Sequence, residues 1–162
     1  MSEFSLTIEG LSAQKAELSD ADAELLKQAG KAASSAYAPY SEFKVGSAVR
    51  LENGETVIGS NQENAAYPAG LCAERVALFA ASTNNPNVPV STIAVTVKAD
   101  NSHLNGPLTP CGGCRQVIME YQNRQQSPIR LILAGKDETV WIFEDAAVLL
   151  PFAFEGESLK NS

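Results

Sequence analysis

The sequence predicts an α/β fold, a three-layer α/β/α sandwich built on a mixed five-stranded sheet. Helical and extended segments alternate along the chain in the order α-β-β-α-β-α-β-β-α, which implies a sheet covered by helices on both faces. Residues 92–98 are β-branched and read as a buried strand. A chain of 162 residues, 44% of them hydrophobic, is one domain by length with enough apolar side chains for a real core. It has no internal repeat, low-complexity tract or dividing linker.

Residues 1–18 alternate only weakly and are expected to form an extended or loosely attached arm ahead of a single domain, residues 19–162. Ser19 has the chemistry of an N-cap, and Asp20, Asp22 and Glu24 place negative charge in the turn that follows. Ala21, Leu25, Ala29, Ala32, Ala33 and Ala36 then recur at helical spacing, so an amphipathic helix is expected over 20–36, ended by Pro39. Strands at 44–50 and 56–60 flank Asn53-Gly54, a hairpin signal. The polar, turn-rich stretch 61–70 leads into a helix from about 71 to 83, and Pro86 and Pro89 mark a loop before the strand at 92–98. A loop over 100–109 holds His103, the chain's one histidine. A helix over 111–125, strands at 129–134 and 139–143 and a short helix at 144–149 complete the reading.

Charge narrows the function. Twelve Lys and Arg against nineteen Asp and Glu give a net charge of −7, and no basic stretch of the kind that supplies affinity for phosphates stands out. The strongest basic grouping, Arg115 to Arg130, is diluted by Glu120 and glutamines, so a polynucleotide substrate is disfavoured. No run approaches the roughly 18 apolar residues of a membrane span. The opening Met1-Ser2-Glu3-Phe4-Ser5-Leu6 lacks a basic region followed by an apolar run, and three cysteines do not make a secreted disulfide framework. A cytoplasmic protein is expected.

The chemistry concentrates in Gly70-Leu71-Cys72-Ala73-Glu74-Arg75 and Pro110-Cys111-Gly112-Gly113-Cys114-Arg115-Gln116, which hold all three cysteines. Two thiols three residues apart at a helix start share one face of its opening turn. Three thiolates leave a tetrahedral zinc site one ligand short, which is the catalytic arrangement. Glu74, close by and not a ligand, suits a proton shuttle for an activated water. Each residue also has a plainer reading. Free cysteines are often small buried hydrophobes, a lone C-x-x-C can be a redox pair, and His103 could close a structural zinc site. His103 could equally be a solvated loop side chain, Glu74 a solvated first-turn carboxylate and Arg75 a surface arginine. A redox pair, however, leaves Cys72-Ala73-Glu74 without explanation. Three thiolates also make a net negative centre, and two devices offset it: Cys72 and Cys111 stand at helix N-termini, and Arg75 can donate to the sulfurs.

Asn61-Gln62-Glu63-Asn64, just upstream, is either a simple polar turn or, beside an active site, an amide and a carboxylate placed to grip sugar hydroxyls. Glu63 would repel a phosphate, which favours a nucleoside over a nucleotide.

Taken together, Tyr37-x-Pro39-Tyr40-Ser41-x-Phe43-x-Val45-Gly46, Asn61-x-Glu63-Asn64-Ala65, Cys72-Ala73-Glu74-Arg75, Pro110-Cys111-x-x-Cys114-Arg115-Gln116 and Leu149-Leu150-Pro151-x-x-Phe154 resemble the short, homotetrameric cytidine deaminases. The resemblance covers roughly residues 19–160. It implies that Cys72, Cys111 and Cys114 bind one zinc ion per subunit and that Glu74 shuttles protons, with Arg75 supporting the sulfurs. It also implies that Phe43 packs on the nucleoside and that Asn61 and Glu63 hold the ribose 3′-hydroxyl. By the same resemblance the Ala73 N–H meets the pyrimidine O2, the Thr109 carbonyl faces the departing amine, and Phe154 stacks on the base in a neighbouring subunit's site. From the residues alone, Phe154 is equally a core or interface hydrophobe. Three departures stand out: Ser47 where the family usually has alanine, Phe152 where a smaller residue is common, and the extension 1–18. The expected reaction is hydrolytic deamination of cytidine and 2′-deoxycytidine for pyrimidine salvage. Its rivals are a deaminase of another aminopyrimidine, a structural zinc module and a polynucleotide editor.

Overall fold

The computed structural model describes residues 1, 3–99 and 104–159, so His103 lies outside the described residues. The strands are β1 (Leu11–Gln14), β2 (Lys44–Leu51), β3 (Thr56–Ser60), β4 (Val90–Lys98), β5 (Arg130–Ala134) and β6 (Thr139–Phe143). The α-helices are α1 (Asp20–Ala33), α2 (Ala73–Asn84) and α3 (Gly112–Gln125). The strands form one sheet in the order β1-β6-β5-β4-β2-β3. Only β4 and β5 pair in parallel, joined by the crossover through α3.

Alternation of side chains across the strands builds two cores. On one face Leu25, Leu26 and Ala29 of α1 pack with Ala48, Ala94, Ile132, Val140 and Ile142. On the other, Ala77, Leu78 and Ala81 of α2 and Ile118 of α3 pack with Val49, Ile93, Val95, Leu131 and Leu133. The three-layer α/β/α sandwich expected from the element order is therefore the fold.

The sheet has six strands among the described residues rather than five. Residues 11–14, expected as part of an extended or loosely attached arm, form β1 and pair antiparallel with β6, Ser12 opposite Trp141. Leu11, Ser12, Ala13 and Gln14 alternate over only four residues and stay largely exposed, too weak a pattern to specify a strand by itself. Their strand conformation comes from a ladder with a distant partner, a contribution that local pattern does not encode. Gly10 makes the approach possible, because a Cβ there would come within 2.6 Å of the Phe143 ring.

Helix α1 begins where its cap chemistry places it, with the Ser19 Oγ accepting from the Asp22 N–H at 3.2 Å. It closes at Ala33 rather than 36. The N–H groups of Ser34, Ser35 and Ala36 bond three residues back, and this tightened turn runs on toward Pro39. The short helix expected at 144–149 is a 3-10 turn, Ala146–Leu149, capped by Asp145.

One helix on each face of the sheet is seated on a glycine. A Cβ on Gly59 would lie 2.4 Å from the Ala77 nitrogen and 2.7 Å from the Ala73 carbonyl oxygen, so α2 sits directly on the backbone of β3. On the opposite face, Gly46 meets the Ala29 carbonyl oxygen of α1 at a distance that a Cβ would reduce to 1.9 Å. Gly46→Ala is expected to destabilise the protein by at least about 3 kcal/mol, because the clash is with backbone and no rotamer relieves it. Denaturant unfolding measures this, and a loss under about 1 kcal/mol would contradict the packing.

The topology also decides where the helices begin. Strand β3 is antiparallel to β2, and β2 is antiparallel to β4, so β3 and β4 run in the same direction. The helices that follow them, α2 and α3, therefore start at the same end of the sheet, and it is there that the cysteines lie.

Candidate active site

Cys72 is the N-cap residue of α2 and Cys111 that of α3, both with extended backbone and neither using its side chain to cap. Their sulfurs are left free to face one another, with the Sγ atoms 3.8 Å apart. Cys114, in the first turn of α3, is fully buried, and all three Sγ atoms lie within 4.8 Å of one another. Tetrahedral zinc with bonds of about 2.3 Å to sulfur requires sulfurs about 3.8 Å apart. Donor type and spacing thus fit zinc.

The thiols share their protons unequally. The hydrogen bond from Cys114 does most to bring the Cys72 thiol down to about 5; burial opposes it, and hydrogen bonds from Arg75 and Cys111 add to it. Cys114 is pushed up by the same contact with Cys72, by burial and by the Glu74 charge. In the metal-free protein, ultraviolet thiolate absorbance is expected to rise through a midpoint near 5 rather than the ordinary 9.0 of a cysteine. Cys114→Ala should move that midpoint up, since it removes the strongest donor to the thiolate. A midpoint unchanged by the substitution would show that the Cys114 hydrogen bond is not what favours the anion.

Glu74, one residue into α2, is 4% exposed. Burial is the main cause raising its carboxyl above the usual range; the Cys72 charge adds to this, while its own backbone N–H, Cys114 and Arg75 pull the other way. Arg75 turns back over the helix start. Its Nη2 reaches the Gly70 carbonyl at 3.4 Å and the Cys72 Sγ at 3.7 Å, and contact with Cys72 raises its own pKa. The side chain expected to relieve the thiolates thus lies against one of them.

These groups stand at the wall of a cavity of about 910 Å³, within the size range of small-molecule sites. Phe43, Asn61, Glu63, Cys72, Ala73, Glu74, Arg75, Thr109 and Cys111 all line it. The segment carrying Asn61 and Glu63 is held there by a small ladder. Gln62 exchanges both backbone hydrogen bonds with Leu71, at 2.8 and 2.9 Å, and the Glu63 N–H donates to the Tyr37 carbonyl at 2.9 Å.

The polar atoms of this segment already have partners within the chain. The Asn61 Oδ1 accepts from the Val45 N–H at 2.7 Å, and its Nδ2 donates to the Phe43 carbonyl at 2.9 Å, fixing the start of β2. The Glu63 carboxylate accepts from the Ser41 hydroxyl and from the N–H groups of Tyr40 and Ser41. These donors, the Ser41 hydroxyl first, hold its carboxyl below the usual range. Each side chain retains hydrogen-bonding capacity beyond these contacts, one amide hydrogen on Asn61 and unshared lone pairs on the carboxylate. The sequence reading missed Ser41 as the partner of Glu63, and no local pattern signals a contact across 22 residues.

Phe154 does not join the other residues. It is 62% exposed and absent from the cavity wall, with its backbone bonded to the Gln116 side chain.

Residues 19–127 match the family model described as the cytidine and deoxycytidylate deaminase zinc-binding region. The chain belongs to this family. It is 40% identical to a cytidine deaminase of Sporosarcina psychrophila over 137 residues, which is 85% of this chain and 93% of the relative. A cytidine deaminase of Halalkalibacterium halodurans is 36% identical over 85% of this chain and 96% of its own length. Among solved structures, the cytidine deaminase from Burkholderia pseudomallei superposes with a TM-score of 0.71 at 39% identity, covering 81% of this chain and 97% of that one. Membership in a zinc-binding deaminase family agrees with the three-sulfur cluster, the one convergence of potential metal ligands found among the described residues. No helix among those residues is long and apolar enough to cross a membrane.

Proposed function

We propose that the chain catalyses hydrolytic deamination of cytidine and 2′-deoxycytidine to uridine and 2′-deoxyuridine, with one zinc ion held by Cys72, Cys111 and Cys114. The observation that carries this reading is the convergence of three sulfurs within 4.8 Å beside a buried carboxyl, with Cys72, Cys111 and Glu74 at the wall of a cavity in the size range of small-molecule sites. When bound, zinc supplies the Lewis acidity that brings the pKa of water toward neutrality.

The remaining work falls to the chain. Glu74 takes a proton from the attacking water and delivers it to the pyrimidine ring as oxygen adds to C4. It then takes the proton of the new C4 hydroxyl and passes it to the amine, which leaves as ammonia as the C4–N bond breaks and the C4 carbonyl forms. The Ala73 N–H lies in the first turn of α2, where backbone donors lack partners within the helix, and it is assigned to the pyrimidine O2. The Thr109 carbonyl accepts from the departing amine. Asn61 and Glu63 bind the ribose 3′-hydroxyl through their remaining capacity, and Phe43 packs on the nucleoside. Their engagement with the backbone of residues 40–45 makes them preorganised, since nothing has to turn when the sugar arrives.

Phe154 is assigned to the base in a neighbouring subunit's site, which makes the working form a homotetramer with shared sites. Residues 19–162 are the catalytic domain in this reading, and 1–18 an extension of it. An acidic chain acting on a free nucleoside needs no nucleic-acid surface, and a cytoplasmic salvage role fits that chemistry.

Loss of cytidine absorbance in the presence of purified, zinc-loaded protein tests the proposal. Conversion to uridine is the expected result. A folded, zinc-replete protein that leaves both cytidine and 2′-deoxycytidine intact would overturn it.

A further inference from the structure

We propose that the N-terminal arm is a positioning element for this reaction, and that Phe4, by packing on Phe152, holds the C-terminal segment in the orientation from which Phe154 serves a neighbouring site. The inference rests on the role given above to Phe154. Beyond the 3-10 turn Ala146–Leu149 the chain passes Pro151, and residues 150–155 lie in neither helix nor strand. A segment without a ladder of its own takes its orientation from what touches it.

Two contacts flank Ala153. On one side the Gln116 amide grips the Phe154 backbone, its Nε2 donating to the carbonyl at 2.8 Å and its Oε1 accepting from the N–H at 3.2 Å. Gln116 stands two residues past Cys114, so this grip ties the segment to the metal-bearing helix. On the other side the Phe4 ring meets Phe152 edge to face, with centroids 6.4 Å apart and planes at 80°. That is a favourable aromatic geometry.

The arm is tied to the sheet from Gly10 onward, which keeps the Phe4 end near the start of the C-terminal segment. Gly10 lies against the Phe143 ring, and β1 is paired along β6, the strand from which the C-terminal segment departs. The start of β1 and the end of β6 thus lie at the same end of the sheet, and arm and tail meet again at the two rings. Phe4 remains 82% exposed and Phe152 76%, so their contact removes little surface from water. Its effect is on orientation more than on folding stability. The Phe152 ring is the point at which the extension meets the tail.

Steady-state kinetics of Phe4→Ala, Phe4→Tyr, Phe152→Ala, the Phe4→Ala/Phe152→Ala pair and Phe154→Ala test the assignment. Phe4→Ala is expected to raise KM about three- to tenfold with kcat within about twofold, at unchanged zinc content and thermal midpoint. Phe4→Tyr, which keeps an aromatic edge, should restore KM. The double variant should be no worse than the worse single variant, because both substitutions break one contact. If Phe154→Ala raises KM while Phe4→Ala does not, the positioning role is wrong and the role of Phe154 stands. If Phe154→Ala leaves KM unchanged, the underlying reading of Phe154 fails first. Fully additive effects in the double variant would also overturn the proposal, since Phe4 would then act by another route.

Discussion

Glu74→Gln is expected to lower kcat/KM by about 10²–10⁴-fold, the range associated with a positioned general acid–base group, while zinc content and fold stay intact. The substitution keeps the shape of a side chain that is 4% exposed and whose carboxyl is raised above the usual range chiefly by burial, so a neutral isostere fits the site. The glutamine amide neither takes up nor gives up a proton near neutral pH, so the loss isolates the shuttle from the packing. Alanine would remove the group too, but it would leave a void at the head of α2. Parallel measurement of turnover, bound zinc and thermal midpoint distinguishes the cases. A Glu74→Gln protein within about tenfold of wild type would remove Glu74 from the mechanism. A protein that had lost zinc would move Glu74 from shuttle to structural support.

Cys114→Ala carries the second large effect. Cys114 is completely buried within 4.8 Å of the other two sulfurs, so its loss removes one of three donors. Activity should disappear and should not return when zinc is added. Chelation of the wild-type protein should produce the same inactivity reversibly. It should also lower stability, by about 4 kcal/mol where free zinc had stood at a thousand times its Kd. The substitution itself deletes a single sulfur from the core, a small change beside the loss of the ion's contribution. Metal analysis with thermal unfolding, with and without added zinc, reads both effects. Full zinc retention by Cys114→Ala would mean that the cluster is not the metal site.

Sequence made the site legible because its parts are local. Cys72 and Glu74 share a helix start, as do Cys111 and Cys114, and the chemistry of each pair is written within three residues. The helix beginnings were legible for the same reason, with Ser19 capping α1 as its side chain dictates. What stayed hidden depends on partners far along the chain. The strand β1 has its conformation only because β6 offers an edge. The polar atoms of Asn61 and Glu63 point to the backbone of Val45, Phe43 and Tyr40, which no spacing rule could have indicated. The end of α1 was misplaced for a subtler reason, since alanines continue at helical spacing while the hydrogen bonds shift to a tighter turn.

Gly59 sets the manufacturing tolerance of the metal site. Helix α2 is seated on that residue, and the seat lies directly beneath the turn that holds Cys72, Ala73 and Glu74. One methyl group there would act as a shim, lifting a single helix end while α3 stayed where it was. The gap between Cys72 and Cys111 would open, although no atom of the site had been altered. An engineer seeking new substrates has freedom in the cavity wall, but the alignment of the metal ligands is set by a missing carbon on the strand below.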